Sequence, residues 1–218
     1  MIVDSMTHEE VYQELERDRE SISNWWHHTL WSQRRRAMKT TKFPLLLSFE
    51  HISPRRNKYI FFTRIFDKRM EHILTGILVP RRTPDGWSAY TNWLSHQKLI
   101  SPIVILPHAF KRYAERCNIN KTGLDLITHF FQINNHFSDS HNQRIVGKSV
   151  RYNGEEHVAS CVNEGILLGQ QQGDLLVCRT FITYDMCSGI QQKVLEKNRK
   201  YIYTDREMYE KASKFYRL

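Results

Sequence analysis

The sequence contains no apolar run near the roughly 18 residues needed to cross a bilayer, and its apolar stretch over 43–49 is interrupted by Pro44. The N-terminal residues, MIVDSMTHEE, include no basic segment followed by an apolar one, so no secretory signal is predicted. We therefore expect no membrane partner and a cytoplasmic location.

Cysteine is also scarce. The four cysteines form no CxxC pair and no zinc-ribbon spacing: Cys117, Cys161, Cys178 and Cys187. Without an export signal, a disulfide framework is not expected in a chain of 218 residues. We expect free, mostly buried thiols.

Fingerprints of cofactor-dependent enzymes are missing. The sequence has no glycine-rich phosphate loop, no GxSxG, no HExxH and no Rossmann fingerprint. A polar stretch with His136, Asp139 and His141 offers metal-ligand side chains, but no second cluster accompanies it. We therefore expect no cofactor and no metal site.

Acidic residues are outnumbered, with 23 Asp and Glu against 32 Lys and Arg, which gives a net charge of +9. The excess is local, because residues 33–82 hold thirteen basic and three acidic side chains. A positive field of this kind attracts polyanions, of which nucleic acid is the commonest inside cells. We predict a nucleic-acid partner, with Arg34, Arg35 and Arg36 among the contacts. A basic surface that only keeps the chain soluble is the alternative.

The N-terminal segment is predicted to be helical. Thr7 and Glu10 have the spacing of a capping box, and apolar residues follow at helical intervals. One long or once-broken helix is expected from about His8 to Met38. The same spacing favours core packing over base stacking for the tryptophans of this helix: Trp25, Trp26 and Trp31.

Strand signals begin near Lys58. The runs YIFFTRIF and HILTGILV flank the polar DKRME and predict a hairpin. The segment PRRTPDGW has turn composition, and SAYTNWL is a third strand or a short helix. Residues 1–99 are therefore predicted to form a basic region with one helix and a hairpin.

A second set of elements is predicted from residue 100. Helices are expected over 108–117, directly after Pro107, and from Thr122 to about Asn135. Strand segments joined by short turns follow at 149–152, 157–162, 166–169 and 175–184. They predict an antiparallel meander, which two C-terminal helices follow.

Together these elements predict an α+β fold. It consists of an antiparallel β-meander with helices packed on one face, preceded by a long N-terminal helix and a β-hairpin region. Residues 1–99 and 100–218 are either two domains or parts of one domain, and the sequence pattern leaves both arrangements open.

The helix over 107–117 has a distinctive polar side. On a helical wheel its apolar residues fall on one side, and the other side carries His108, Lys111, Arg112, Glu115 and Arg116. Metal-independent RNA cleavage needs an acid, a base and positive charge at the phosphate. Histidine titrates near neutral pH, and arginine holds phosphate oxygens in a fork. The same residues also fit an ordinary solvated face with local salt bridges.

The run LPHAFKRYAERCNI, followed by a helix and a meander ending LLVCRTFITY, resembles the ribonuclease-toxin superfamily that includes barnase-, EndoU- and RelE-like members. The resemblance covers about residues 105–185. Several families there have a His-x-x-x-Arg-x-x-x-Arg helix, matched by His108, Arg112 and Arg116, and a hydroxyl or basic residue on a central strand.

This resemblance implies catalytic roles for those three residues and for Thr180, which stands where the strand residue would fall. It also implies RNA contacts for Lys111 and Arg179. One departure is that the interval between the helix and the last strand is longer than in compact toxins.

The leading hypothesis is a metal-independent, toxin-type endoribonuclease-like domain that acts on RNA. The alternative is a non-catalytic module of a mobile-element or phage-derived system. Such a module would bind RNA or DNA through the basic surface, or bind a protein partner or a second copy through the Trp-rich N-terminal helix.

Overall fold

A computed structural model describes residues 1–71, 73–91, 102–134, 151–152 and 155–187. Its helices are α1 (His8–Ser32), α2 (Arg34–Lys39), α3 (Pro107–Arg116) and α4 (Gly123–Ile133). Its strands are β1 (Leu45–Ile52), β2 (Lys58–Ile65), β3 (Ile73–Thr83), β4 (Gly86–Thr91), β5 (Ile103–Ile105), β6 (Arg151–Tyr152), β7 (Glu155–Cys161), β8 (Gly165–Gln172) and β9 (Leu175–Thr183).

The described strands form one sheet in the order β1-β2-β3-β4-β5-β9-β8-β7-β6. Neighbours are antiparallel except β5 and β9, which run parallel. Because β4 pairs with β5, strands from residues 1–99 and from 100–218 share this sheet. The predicted α+β class is confirmed.

The N-terminal helix is broken once, as predicted. Thr7 caps α1 with the full capping box, in which Glu10 bonds back to the Thr7 backbone. Gln33 then separates α1 from the short α2, which ends at Lys39. No helix in the described ranges is both long and apolar enough to cross a membrane.

The predicted hairpin is the β2–β3 pair, and its turn includes the polar DKRME segment. The next turn falls at residues 84–85, inside the predicted turn segment 80–87, but β3 continues through Pro80 to Thr83 and so takes up the first half of that segment. The segment after it is the strand β4 rather than a short helix. Strand β1 was not predicted at all.

Helices cover both faces of the sheet. Successive strand residues point to opposite faces, so Phe61 packs with α1 in one core while Phe62 packs with α3 and α4 in another. Placement of α3 and α4 on one face agrees with the prediction. The packing of α1 on the opposite face was not predicted.

The four cysteines are free, as expected, and three of them are buried. Burial raises the pKa of Cys178, and burial together with Glu164 raises that of Cys117 to about 11. These thiols are therefore poor nucleophiles at neutral pH. The polar stretch with His136, Asp139 and His141, and both predicted C-terminal helices, lie outside the described residues.

Candidate functional site

Helix α3 is positioned by the strand before it. Pro107 occupies the first turn, and the Leu106 N–H donates to the Cys178 carbonyl of β9 at 3.0 Å. The predicted apolar side is buried at Ala109, Phe110 and Tyr113. The polar side therefore points away from the core.

On that polar side three residues form a short chain of contacts. Arg112 Nε donates to His108 Nε2 at 3.3 Å, and Arg112 Nη1 donates to Glu115 at 2.7 Å. His108 and Glu115 are exposed, while Arg112 is half-buried. In this arrangement His108 Nε2 is the acceptor of the Arg112 hydrogen bond. Lys111 is exposed on the same helix.

Arg116 has a different environment. It is half-buried, and its guanidinium donates to the backbone carbonyl of Phe181 in β9. Arginine has five N–H donors, so this bond leaves others free. The observed contact nevertheless ties the C-terminal end of α3 to the sheet, which is a structural role.

Strand β9 contains a bulge at the residues of interest. Leu168 of β8 pairs with Thr180 and Gly169 pairs with Cys178, so Arg179 is the extra residue. Arg179 is exposed. In a regular strand, side chains three residues apart point to opposite faces. The bulge shifts this alternation by one residue, so Phe181 and Cys178 point into the same core.

Thr180 lies on the opposite face of the sheet from the α3 core. Its neighbour Phe181 points into that core, and its cross-strand partner Leu168 packs in a separate cluster on the other face. Among the described residues no hydrogen bond or ion pair joins Arg179 or Thr180 to His108 or Arg112. The structure thus groups His108, Arg112 and Glu115, and places Thr180 elsewhere.

A second polar surface is built around α2. Ala37 of α2 packs with Leu47 and Ile65, and Met70 from the β2–β3 turn packs against the same cluster. The exposed cations of these elements therefore lie at one end of the sheet. We call them the basic end, which comprises Arg34, Arg35, Arg36, Lys39, Lys42, Lys68 and Arg69.

Acidic residues offset the basic end only in part. Asp67 accepts from the backbone N–H groups of Arg69 and Glu71 and so forms the turn itself. Glu71 lies 4.0 Å from the Arg69 guanidinium, in an exposed pair of the kind that contributes little stability. Seven cations against these two carboxylates leave a strongly positive surface.

Not every cation of residues 33–82 belongs to a surface. Arg64 and Arg81 are both 6% exposed. Arg64 donates to the Gln132 carbonyl, and Arg81 donates to three carbonyls of the N-terminal segment and to the Tyr90 hydroxyl. These two arginines hold elements together, and counting charges along the sequence cannot separate them from surface cations.

The tryptophans of α1 divide between core and surface. Trp26 is 8% exposed and stacks on Phe61, while Trp25 stacks on His51. Trp31 is 64% exposed, and the Arg34 guanidinium lies 5.8 Å from its ring centroid. Core packing is therefore confirmed for Trp26, and Trp31 is exposed beside the basic end.

A pocket of about 530 Å³ lies at the N-terminal end of α1, and the sequence analysis did not identify it. Its polar lining includes His8, Glu9 and Arg81. Burial, and then the charge of Arg81, lower the pKa of His8. A second pocket of about 370 Å³ lies between β1 and the end of α4. Neither pocket is lined by His108.

No family model, curated protein or solved structure matches this chain.

Proposed function

We propose that the protein binds nucleic acid through the basic end, with RNA rather than DNA as its partner. The observation that carries this proposal is the exposure of seven Lys and Arg side chains around one apolar cluster. The choice of RNA comes from the resemblance of α3 and the meander to ribonuclease toxins.

The chemistry of the basic end suits single strands. Exposed lysine and arginine side chains can contact backbone phosphates, and the release of counterions from those phosphates drives binding. The exposed ring of Trp31 beside Arg34 offers a surface on which an unpaired base can stack. A duplex keeps its bases stacked on one another, so it can use only the phosphate contacts.

Binding should be measured by fluorescence anisotropy with labelled single-stranded RNA, single-stranded DNA and duplex RNA at several salt concentrations. We expect replacement of Arg34, Arg35 and Arg36 together by Gln to weaken binding. The plot of the logarithm of the association constant against the logarithm of the salt concentration should also become less steep by about 2. Each phosphate contact on a single strand contributes about 0.7 to this slope.

A matched control removes three exposed cations outside the basic end, with Arg17, Arg82 and Lys121 replaced by Gln. This variant should keep most of the affinity and the slope. Equal loss in both variants would mean that net charge alone matters, and the absence of binding at low salt would reject the proposal.

A second candidate function is RNA cleavage at α3, favoured by the contact of exposed His108 with Arg112. In this candidate His108 acts as acid or base and Arg112 holds the phosphate. Labelled RNA incubated with the protein in EDTA should then yield 2′,3′-cyclic phosphate ends. Loss of these products in His108→Ala, with RNA binding retained, is the expected result, and binding without cleavage would reject this candidate.

Thr180→Ala and Arg116→Gln test the remaining residues of the predicted site. The position of Thr180 on the other face leads us to expect cleavage to continue in Thr180→Ala. Arg116→Gln should weaken the attachment of α3 to β9, so its thermal stability must be measured beside its activity.

A further inference from the structure

Strand β1 is an unusually open edge of the sheet. Among the described strands it is the last on its side and spans eight residues, whereas β6 at the opposite edge spans two. Leu46 is 59% exposed and Ile52 is 65% exposed. Natural edge strands are commonly protected by lysine, proline or a bulge. The β1–β2 register is continuous over the whole strand, and β1 contains neither lysine nor proline.

One hydrogen bond shows which residues of β1 have backbone N–H and C=O groups that point away from β2. The Ser53 N–H donates to the Asn57 carbonyl at 2.9 Å, in the same register that pairs Ile52 with Lys58. In an antiparallel ladder alternate residues face the neighbouring strand. The odd-numbered residues of β1 therefore bond to β2, and the outward backbone groups belong to Leu46, Ser48, Glu50 and Ile52.

These four residues are self-complementary. An antiparallel pairing of two β1 strands about a twofold axis at Phe49 places Leu46 opposite Ile52 of the second copy, and Ser48 opposite Glu50 of the second copy. All four outward-facing residues then enter pairs that each exchange two hydrogen bonds. The same register covers both exposed aliphatic side chains, and it places the Ser48 hydroxyl opposite a carboxylate acceptor.

We propose that β1 pairs with β1 of a second copy of this chain in this register, so that the two sheets become one continuous sheet. The proposal is independent of nucleic-acid binding. The contact is narrow, so we expect a weak dimer with a dissociation constant on the order of micromolar. A dyad of this kind is the commonest symmetry of protein dimers.

Like charges across the proposed contact predict how the stability of the dimer depends on salt concentration. The basic end adjoins Leu45, since Ala37 and Leu45 belong to one cluster. In the proposed register this end of β1 lies near the β1–β2 turn of the second copy, which carries the exposed cation Arg56. Salt screens this repulsion, so added salt should strengthen the dimer, whereas it weakens nucleic-acid binding.

Sedimentation of the full chain over a range of concentrations tests the proposal. We expect a monomer–dimer equilibrium, and Leu46→Lys with Ile52→Lys should raise the dissociation constant roughly tenfold or more. Both positions are exposed, so these changes should leave folding intact. The control Met186→Lys changes another exposed apolar residue away from β1 and should leave the dimer unchanged.

Cross-linking tests the register itself. Phe49 would face its own copy across the axis in a non-hydrogen-bonded pair, with Cα atoms about 4.5 Å apart, which a disulfide can bridge. Phe49→Cys should therefore form a covalent dimer on mild oxidation, while Ile133→Cys, at a half-exposed position on α4, should not. A monomer at every concentration, or a dimer that survives the Leu46 and Ile52 changes, would overturn the proposal.

Discussion

Asp18 of α1 accepts a hydrogen bond from the Tyr59 hydroxyl of β2 at 2.8 Å in the protein interior. The same carboxylate oxygen accepts from Ser53 Oγ at 2.6 Å and from Asn57 Nδ2 at 2.8 Å. Asp18 is 1% exposed, so these three donors take the place of water around the carboxylate. Burial, and then the hydrogen bond to Asp18, raise the pKa of Tyr59. The network fixes the β1–β2 turn to α1.

We expect Asp18→Ala to lower the free energy of unfolding by about 3–5 kcal/mol, because three buried donors lose their acceptor. Tyr59→Phe removes one bond to a charged group and should cost about 1.5–2 kcal/mol. Urea unfolding measures both values. Asp4→Ala, at an exposed aspartate, should change stability by less than about 0.5 kcal/mol. If Asp18→Ala is as stable as this control, the network is not stabilising.

Glu14 makes stability depend on acid pH. Arg55 donates to both of its carboxylate oxygens, at 2.8 and 2.6 Å, and this contact is the largest cause of a Glu14 pKa lowered to about 2. A depressed carboxyl pKa gives stability that is complete above the ordinary value of 4.5 and is lost as the pH falls toward 2. Arg55→Gln should therefore unfold at a higher pH in an acid titration followed by circular dichroism.

The neighbouring Arg56→Gln serves as the control for this titration, since Arg56 is exposed and takes no part in the Glu14 contacts. It should keep the acid midpoint of the unmodified protein. Identical midpoints for both variants would show that Arg55 does not set the protonation of Glu14.

The sequence predicts elements whose signals are local. The capping box of Thr7 and the two-sided pattern of α3 involve residues within a few positions of each other, and both are observed. Strand β1 was missed although most of residues 45–49 are apolar, because exposed Leu46 and Ile52 break the alternation of apolar and polar residues that marks a half-buried strand.

The parts of the candidate site that were not predicted depend on distant partners. The run VCRTF does not reveal that β9 has one residue more than β8 opposite it, so the bulge at Arg179 was not foreseen. Unless the bulge is known, the sequence does not show which face of the sheet the Thr180 side chain points to. Arg81 looks like any surface cation until the carbonyls of Val3, Asp4 and Met6 are placed around it.

His8 gives stability a second pH dependence, near neutral pH. Its Nδ1 lies 2.9 Å from the Tyr90 hydroxyl, which accepts from Arg81 at 3.0 Å. Burial and the charge of Arg81 lower the pKa of His8 below 6.5. The folded protein therefore binds this proton less readily than the unfolded chain, and stability falls as the pH drops below about 6.5.

We expect His8→Gln to flatten the dependence of the unfolding free energy on pH between about 7 and 5, measured by urea unfolding at each pH. His27→Gln provides the comparison, because His27 is an exposed residue of the same helix. This second variant should retain the slope of the unmodified protein. If the slope persists unchanged in His8→Gln, the pH dependence of the unfolding free energy comes from groups other than His8.

The bulge in β9 predicts an unusual tolerance to deletion. Removing Arg179 leaves Thr180 directly after Cys178, which matches the consecutive partners Leu168 and Gly169 of β8. Phe181 then reaches its core by ordinary alternation. We expect deletion of Arg179 to cost less than about 2 kcal/mol of unfolding free energy, in the range of ordinary single substitutions.

Two comparisons test this interpretation of β9. Deletion of Val177, in the regular part of the strand, moves Cys178 to the other face and Arg179 into the buried position of Cys178, and should prevent folding. Gly169→Ala should also be strongly destabilising, because its Cβ would lie 2.2 Å from the Val177 carbonyl oxygen. Thermal unfolding followed by circular dichroism ranks all three variants. If the two deletions are equally damaging, Arg179 is required for the strand and is not an extra residue within it.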